Sequence, residues 1–139
     1  PFLLAPALNA IMGQRLVRRI CENCKQEITL EKEQLDRVTQ ILNAIPDGHP
    51  DKPDLTTMKF HKGVGCDTCH GIGYKGRIGI YEIMIMTPEI EKMILGGRVS
   101  EYDMQEIGIK NGMLTMAQDG ILKALKGITS VDEVFRVSE

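Results

Sequence analysis

Two Cys-x-x-Cys pairs constrain this 139-residue chain more than anything else in it: Cys21-Glu-Asn-Cys24 and Cys66-Asp-Thr-Cys69, which hold all four of its cysteines. Each pair turns tightly enough to aim two sulfurs at one point. Two such knuckles supply four thiolates to one tetrahedral Zn²⁺ at about 2.3 Å per Zn–S bond. Gly63, Gly65, Gly71 and Gly73 flank the second knuckle, and glycines there let backbone N–H groups turn towards sulfur. The spacer is the unusual part. Forty-one residues separate Cys24 from Cys66, where a compact ribbon uses about 15–20. The intervening chain must leave the site and return to it. The four cysteines read as a structural zinc site.

Other uses of these cysteines are less consistent with the rest of the chain. A disulfide framework suits small secreted chains, and no signal peptide pattern is visible. A thioredoxin-like redox pair needs a strand-to-helix junction that neither pair has. Cys66-Asp-Thr-Cys69-His70 spells a c-type haem attachment signature; it would use His70 as an axial ligand, leave Cys21 and Cys24 unexplained and require export. His70 reads instead as an exposed loop residue or a donor to sulfur.

Seventeen basic and nineteen acidic residues leave a net charge of −2, so no overall field draws the chain to nucleic acid or an anionic membrane. With no Trp, three Phe and three Tyr, platforms for stacking bases are scarce. No apolar run approaches the roughly 20 residues that cross a bilayer. Opening on Pro1 without Met, the chain reads as part of a longer protein.

Hydrophobic periodicity predicts a first helix over residues 5–20, on the spacing of Leu8, Ile11, Met12, Leu16, Val17 and Ile20. Arg15, Arg18 and Arg19 then lie near its C-terminus, as a solvated face suited to the helix dipole. A second helix is expected over 30–45 with Thr29 as N-cap, broken by the proline-rich stretch from Pro46 to Pro53. Residues 55–64 and 77–86 read as strands, paired antiparallel with the second knuckle between them. Gly71-x-x-x-x-Gly76-Arg77 is not a phosphate-binding loop, because it lacks the Lys-Ser/Thr ending and a following helix.

The last third is helical and well punctuated. Thr87-Pro88, Ser100 with Asp103, Thr115 with Gln118, and Ser130 with Glu133 mark four helix starts, and Gly96-Gly97, Asn111-Gly112 and Gly127 mark ends. Met84, Met86, Met93, Met113 and Met116 read as core filler. The expectation is an α+β fold, mainly helical, in two parts. Residues 1–86 form a leading helix and a tetracysteine subdomain with an inserted helix and hairpin. Residues 87–139 form a C-terminal helical subdomain whose own caps should leave it largely folded when the metal is removed.

Three blocks carry a resemblance: Leu8-Asn-Ala-Ile-Met-Gly-Gln14-Arg15-Leu-Val-Arg18-Arg-Ile-Cys21-Glu-Asn-Cys24; Gly65-Cys66-Asp-Thr-Cys69-His-Gly71-Ile-Gly73-Tyr-Lys-Gly76-Arg77-Ile-Gly79-Ile-Tyr81-Glu82; and Met113-Leu-Thr115-Met-Ala-Gln-Asp119-Gly120-Ile-Leu-Lys123 with Gly127-Ile-Thr-Ser-Val-Asp-Glu133-Val134. In this order they resemble the type II secretion and type IV pilus assembly ATPases over essentially the whole chain. The resemblance implies a C-terminal region lying after the phosphate-binding elements of a RecA-like core, with its tetracysteine metal subdomain. It also implies a cytoplasmic homohexamer, peripheral to the inner membrane, whose ATP-driven movements push on an inner-membrane assembly platform protein.

No Gly-x-x-x-x-Gly-Lys-Ser/Thr occurs here, so ATP and Mg²⁺ are expected to be held by the parent protein and no catalytic residue by this piece. Metal-bearing Cys21, Cys24, Cys66 and Cys69 would then have a structural and coupling role. The alternative is a free-standing zinc-binding adaptor for RNA or unfolded protein. Cys66-x-x-Cys69-x-Gly71-x-Gly73 is also similar to one repeat of the cysteine-rich domain of J-domain co-chaperones, which carries several.

Overall fold

A computed structural model describes residues 10–97 and 100–138. The fold is α+β. In chain order it runs β1 (Ala10–Ile20), β2 (Lys25–Ile28), α1 (Lys32–Asn43), β3 (Phe60–Gly63), β4 (Tyr74–Ile85), α2 (Pro88–Leu95), α3 (Glu101–Lys110), α4 (Met116–Leu125) and α5 (Val131–Ser138).

The first element differs from the sequence expectation. Residues 10–20 form a strand, not the end of a helix, and residues 5–9 of that expected helix lie outside the described residues. The strand wins because β1 finds a partner in the twelve-residue β4. It pairs antiparallel with β4 from Ala10 opposite Ile85 to Ile20 opposite Tyr74, with an irregularity between Arg18 and Ile20. That bulge shifts the alternation, so Val17 and Ile20 are both buried although three residues apart. Their spacing imitates a helical face.

The expected pairing is also corrected. Only residues 60–63 of the 55–64 stretch form a strand, and β3 pairs with β2 rather than with β4: Lys25 opposite Gly63 through Ile28 opposite Phe60. Among the described residues the two two-stranded sheets, β1 with β4 and β2 with β3, continue one another as a ribbon of β1–β2 against β3–β4. Each strand is interrupted at the same level by a knuckle.

α1 starts at Lys32 and is preceded by Glu31, which makes no side-chain cap, so Thr29 is not its N-cap. Its buried Val38 and Leu42 join Leu30, Ile45 and Phe60 in a core completed by Ile121, Ala124, Val131 and Val134. Gln118 fixes α4 to α1 by donating from Nε2 to the Ile41 carbonyl at 3.2 Å. A smaller cluster gathers Met84, Met86, Met104 and Ile107 around Ile90 and Ile94.

The expected caps form at Thr87, Ser100 and Thr115, the last as a full capping box with Gln118. At the start of α5 only half of the box forms. Ser130 Oγ accepts from the Glu133 N–H at 3.2 Å, while the Glu133 carboxylate turns elsewhere.

Candidate metal centre

β1 runs directly into Cys21, and Cys24 directly precedes β2; Cys66 and Cys69 fill the corresponding gap between β3 and β4. Antiparallel pairing on both sides of the gap thus brings the two knuckles face to face. Two backbone bonds cross the break in the ribbon. The Cys21 N–H donates to the Gly73 carbonyl at 3.0 Å, and the Val64 N–H to the Cys24 carbonyl at 3.2 Å.

The four sulfurs lie within 4.8 Å of one another. Cys21 and Cys66 are 3.8 Å apart, Cys24 and Cys69 3.8 Å, and Cys66 and Cys69 3.7 Å. A tetrahedral ion with Zn–S bonds of about 2.3 Å separates its sulfurs by about 3.8 Å. All four cysteines are free; Cys21, Cys24 and Cys69 are buried and Cys66 is half-buried.

The surrounding donors are those thiolates need. Gly73 N–H donates to Cys69 Sγ at 3.2 Å, as does Cys66 N–H at 3.3 Å. Gly65 N–H donates to Cys24 Sγ at 3.3 Å, and the Asn23 amide to Cys66 Sγ at 3.2 Å. The Asn23 bond, with backbone help, draws the Cys66 thiol down to about 6. Burial pushes Cys24 up to about 11 despite the Gly65 N–H. At Cys69 burial works in the same upward direction, but the Gly73 and Cys66 N–H groups outweigh it and hold the thiol below its usual value. A divalent cation held at the centre would supply the positive charge that lets all four ionise together. The donor set and spacing fit a tetrahedral metal ion.

All four cysteines singled out in the sequence therefore lie in this one cluster. His70 stands apart from the cluster, exposed, with a left-handed φ of 56°. The haem reading fails because Cys66 and Cys69 share their centre with the other pair. Gly71–Gly76 leads into β4 instead of a helix, so its likeness to a phosphate-binding loop stops at the glycines.

Residue pattern alone missed Asn23, which sits inside the first knuckle, and Glu133, which is remote in sequence. An acidic residue between Val131 and Val134, on the buried side of α5, was the available signal for the second.

A match to the Type II/IV secretion system protein family covers residues 1–136. The chain belongs to that family. Among relatives in this secretion-protein family, it is 38% identical over 134 residues to the type IV pilus assembly ATPase PilB of Thermus thermophilus, covering 96% of this chain and 14% of that protein. Identity is 37% over 138 residues to the type IV pilus assembly ATPase PilB of Pseudomonas aeruginosa, 99% of this chain and 22% of that protein. To the type II secretion system protein E of Dickeya dadantii it is 32% over 139 residues, 100% of this chain and 25% of that protein. The chain thus spans between 14% and 25% of the length of these relatives. Among its described residues no helix is long and apolar enough to cross a membrane.

Proposed function

We propose that this chain is the zinc-pinned C-terminal region of a hexameric motor ATPase that powers type IV pilus assembly or type II protein secretion. One observation carries the reading: four thiols, from two knuckles far apart in sequence, converge at tetrahedral spacing where the ribbon is interrupted. Cys21, Cys24, Cys66 and Cys69 hold Zn²⁺ with no open position. When bound, the ion supplies charge and a rigid joint rather than a reactive water. The chain's own groups shape that joint: Gly65, Gly73 and Asn23 direct N–H donors at sulfur.

ATP and Mg²⁺ belong to the rest of the parent protein, and this region transmits movement. Its neighbours are other subunits of the hexamer and the inner-membrane assembly platform protein, which places it on the cytoplasmic side. A free-standing adaptor gives no reason for a family match running through residues 1–136.

The test is elemental analysis of protein purified under reducing conditions, followed by replacement with Co²⁺. One zinc per chain and the absorption of a tetrahedral cobalt thiolate centre are expected. A metal content near zero in fully reduced protein, or iron in place of zinc, overturns the reading.

A further inference from the structure

α5 begins at the root of the metal centre. Glu133, at 1% exposed, is the one buried carboxylate among the described residues. It does more than pair with a side chain. Its Oε2 accepts the backbone N–H of Arg18 at 3.0 Å, while its Oε1 takes Arg18 Nε at 2.8 Å and Nη2 at 2.6 Å. The carboxylate thus stands where a neighbouring strand would otherwise satisfy the outer edge of β1. Arg136 closes the other side, with Nη2 donating to Oε2 at 2.8 Å.

The residues just before Glu133 grip the same place. Thr129 Oγ1 donates to the Arg18 carbonyl at 2.7 Å, and the Ile20 N–H to the Ile128 carbonyl at 2.9 Å. On the opposite strand, the Tyr74 hydroxyl bonds Ser130 Oγ at 2.6 Å, and the Arg18 guanidinium lies 4.4 Å over the Tyr74 ring. Residues 128–133 therefore hold β1 up to the residue before Cys21, and β4 at the residue after Gly73. Gly73 donates to Cys69 Sγ and accepts from the Cys21 N–H.

We infer that Glu133 is a positioning residue for the metal centre: by fixing Arg18 and, through Arg18 and Ser130, Tyr74, it sets how Cys21 and Cys69 face each other. Metal binding and the docking of α5 are then coupled, and the coupling is reciprocal. The inference rests on the zinc reading above.

The test compares zinc retention against a chromophoric chelator in the whole chain. Glu133→Gln keeps the shape but loses the charge that two arginines and a backbone N–H converge on. It should weaken retention at least about tenfold, the lower end of the 10–100-fold range for groups that orient metal ligands. Val38→Ala, in the core that α4 and α5 share with α1, is the control for general destabilisation of the same unit and should lower retention less than E133Q does.

Hydrogen exchange supplies the reciprocal arm: chelation should expose the amides of residues 131–138 before those of 88–95. If E133Q fails to fold, Thr129→Val, which removes the hydroxyl bond to Arg18, decides on the same readout. Retention in the variant within about twofold of wild type, far below the outer-group range, or an equal loss in the Val38→Ala control, overturns the inference. A wild-type chain that takes up no zinc instead overturns the zinc reading.

Discussion

Gly63 and Gly73 cross so closely that neither has room for a side chain: a Cβ on Gly63 would overlap the Gly73 carbonyl, and one on Gly73 the Gly63 carbonyl. Gly73 also sits at φ +86° and spends both backbone groups on the site, donating to Cys69 Sγ and accepting from Cys21.

Gly73→Ala is therefore expected to lose the metal and to cost upwards of about 4 kcal/mol, the range reserved for broken special sites. Gly48 has a similar φ of +84° but open space around it, so Gly48→Ala should cost only about 1–2 kcal/mol of backbone strain. Denaturant midpoints and metal analysis on the two variants separate the crossing from the torsion. Equal losses in both would assign the effect to the torsion.

Glu133 makes stability depend on acid. Burial alone would raise its pKa, but the bonds from Arg136 and Arg18 outweigh it and hold the carboxyl at about 2, against an ordinary 4.5. A lowered folded pKa means the stabilisation is fully present above about pH 4.5 and is lost as pH falls towards 2. The shift corresponds to about 3 kcal/mol at neutral pH. Compared with wild type at the same metal loading, E133Q should flatten that part of the pH–stability curve. An unchanged slope between pH 4.5 and 2 would remove Glu133 from the acid response.

Metal removal should divide the molecule inside its C-terminal third. α4 and α5 share one core with Leu30, Val38, Leu42 and Phe60, whereas α2 and α3 pack around Ile90 and Ile94 in their own cluster. Apparent zinc-binding energies of about 10–16 kcal/mol exceed the stability of many domains. Cys66→Ser or chelation is thus expected to strip hydrogen-exchange protection from the knuckles, α4 and α5 together, while α2 and α3 keep their own opening rate. Protection retained through all of residues 88–138 would instead support a boundary at residue 86.

The purified chain should turn over no ATP, since its glycine-rich stretch from Gly71 to Gly76 enters a strand and presents no helix N-terminus to a phosphate. In the parent protein Cys66→Ser should reduce pilus assembly or secretion far more than nucleotide binding. Turnover that co-purifies with this chain refutes the assignment.

The sequence made the four clustered cysteines legible because each knuckle is a local object: two cysteines and their glycines need no partner to be recognised. The caps at Thr87, Ser100 and Thr115 were legible for the same reason. β1 was not. Met12 and Leu16 are exposed, at 61% and 47%, so its apolar residues do not alternate with burial, and the bulge after Arg18 puts Val17 and Ile20 on one side. The strand partners were misassigned because adjacency in sequence favoured β3 with β4. The chain instead pairs β1 with β4 on one side of the knuckles and β2 with β3 on the other. Glu133 resembled an N-terminal helix acid, which its Ser130 bond indeed makes it, while its carboxylate serves a strand 115 residues away.

The excursion between the knuckles has a consequence during synthesis. At about 5–20 residues per second, the chain from Cys24 to Cys66 takes about 2–8 s to emerge. Throughout that delay Cys21 and Cys24 are an incomplete pair, with the Gly73 carbonyl that anchors Cys21 not yet made. Newly made chains therefore pass through an interval in which two thiols are open to oxidants and to weak two-coordinate metal capture. Oxidative stress should accordingly damage nascent protein at Cys21 and Cys24 while sparing molecules already closed.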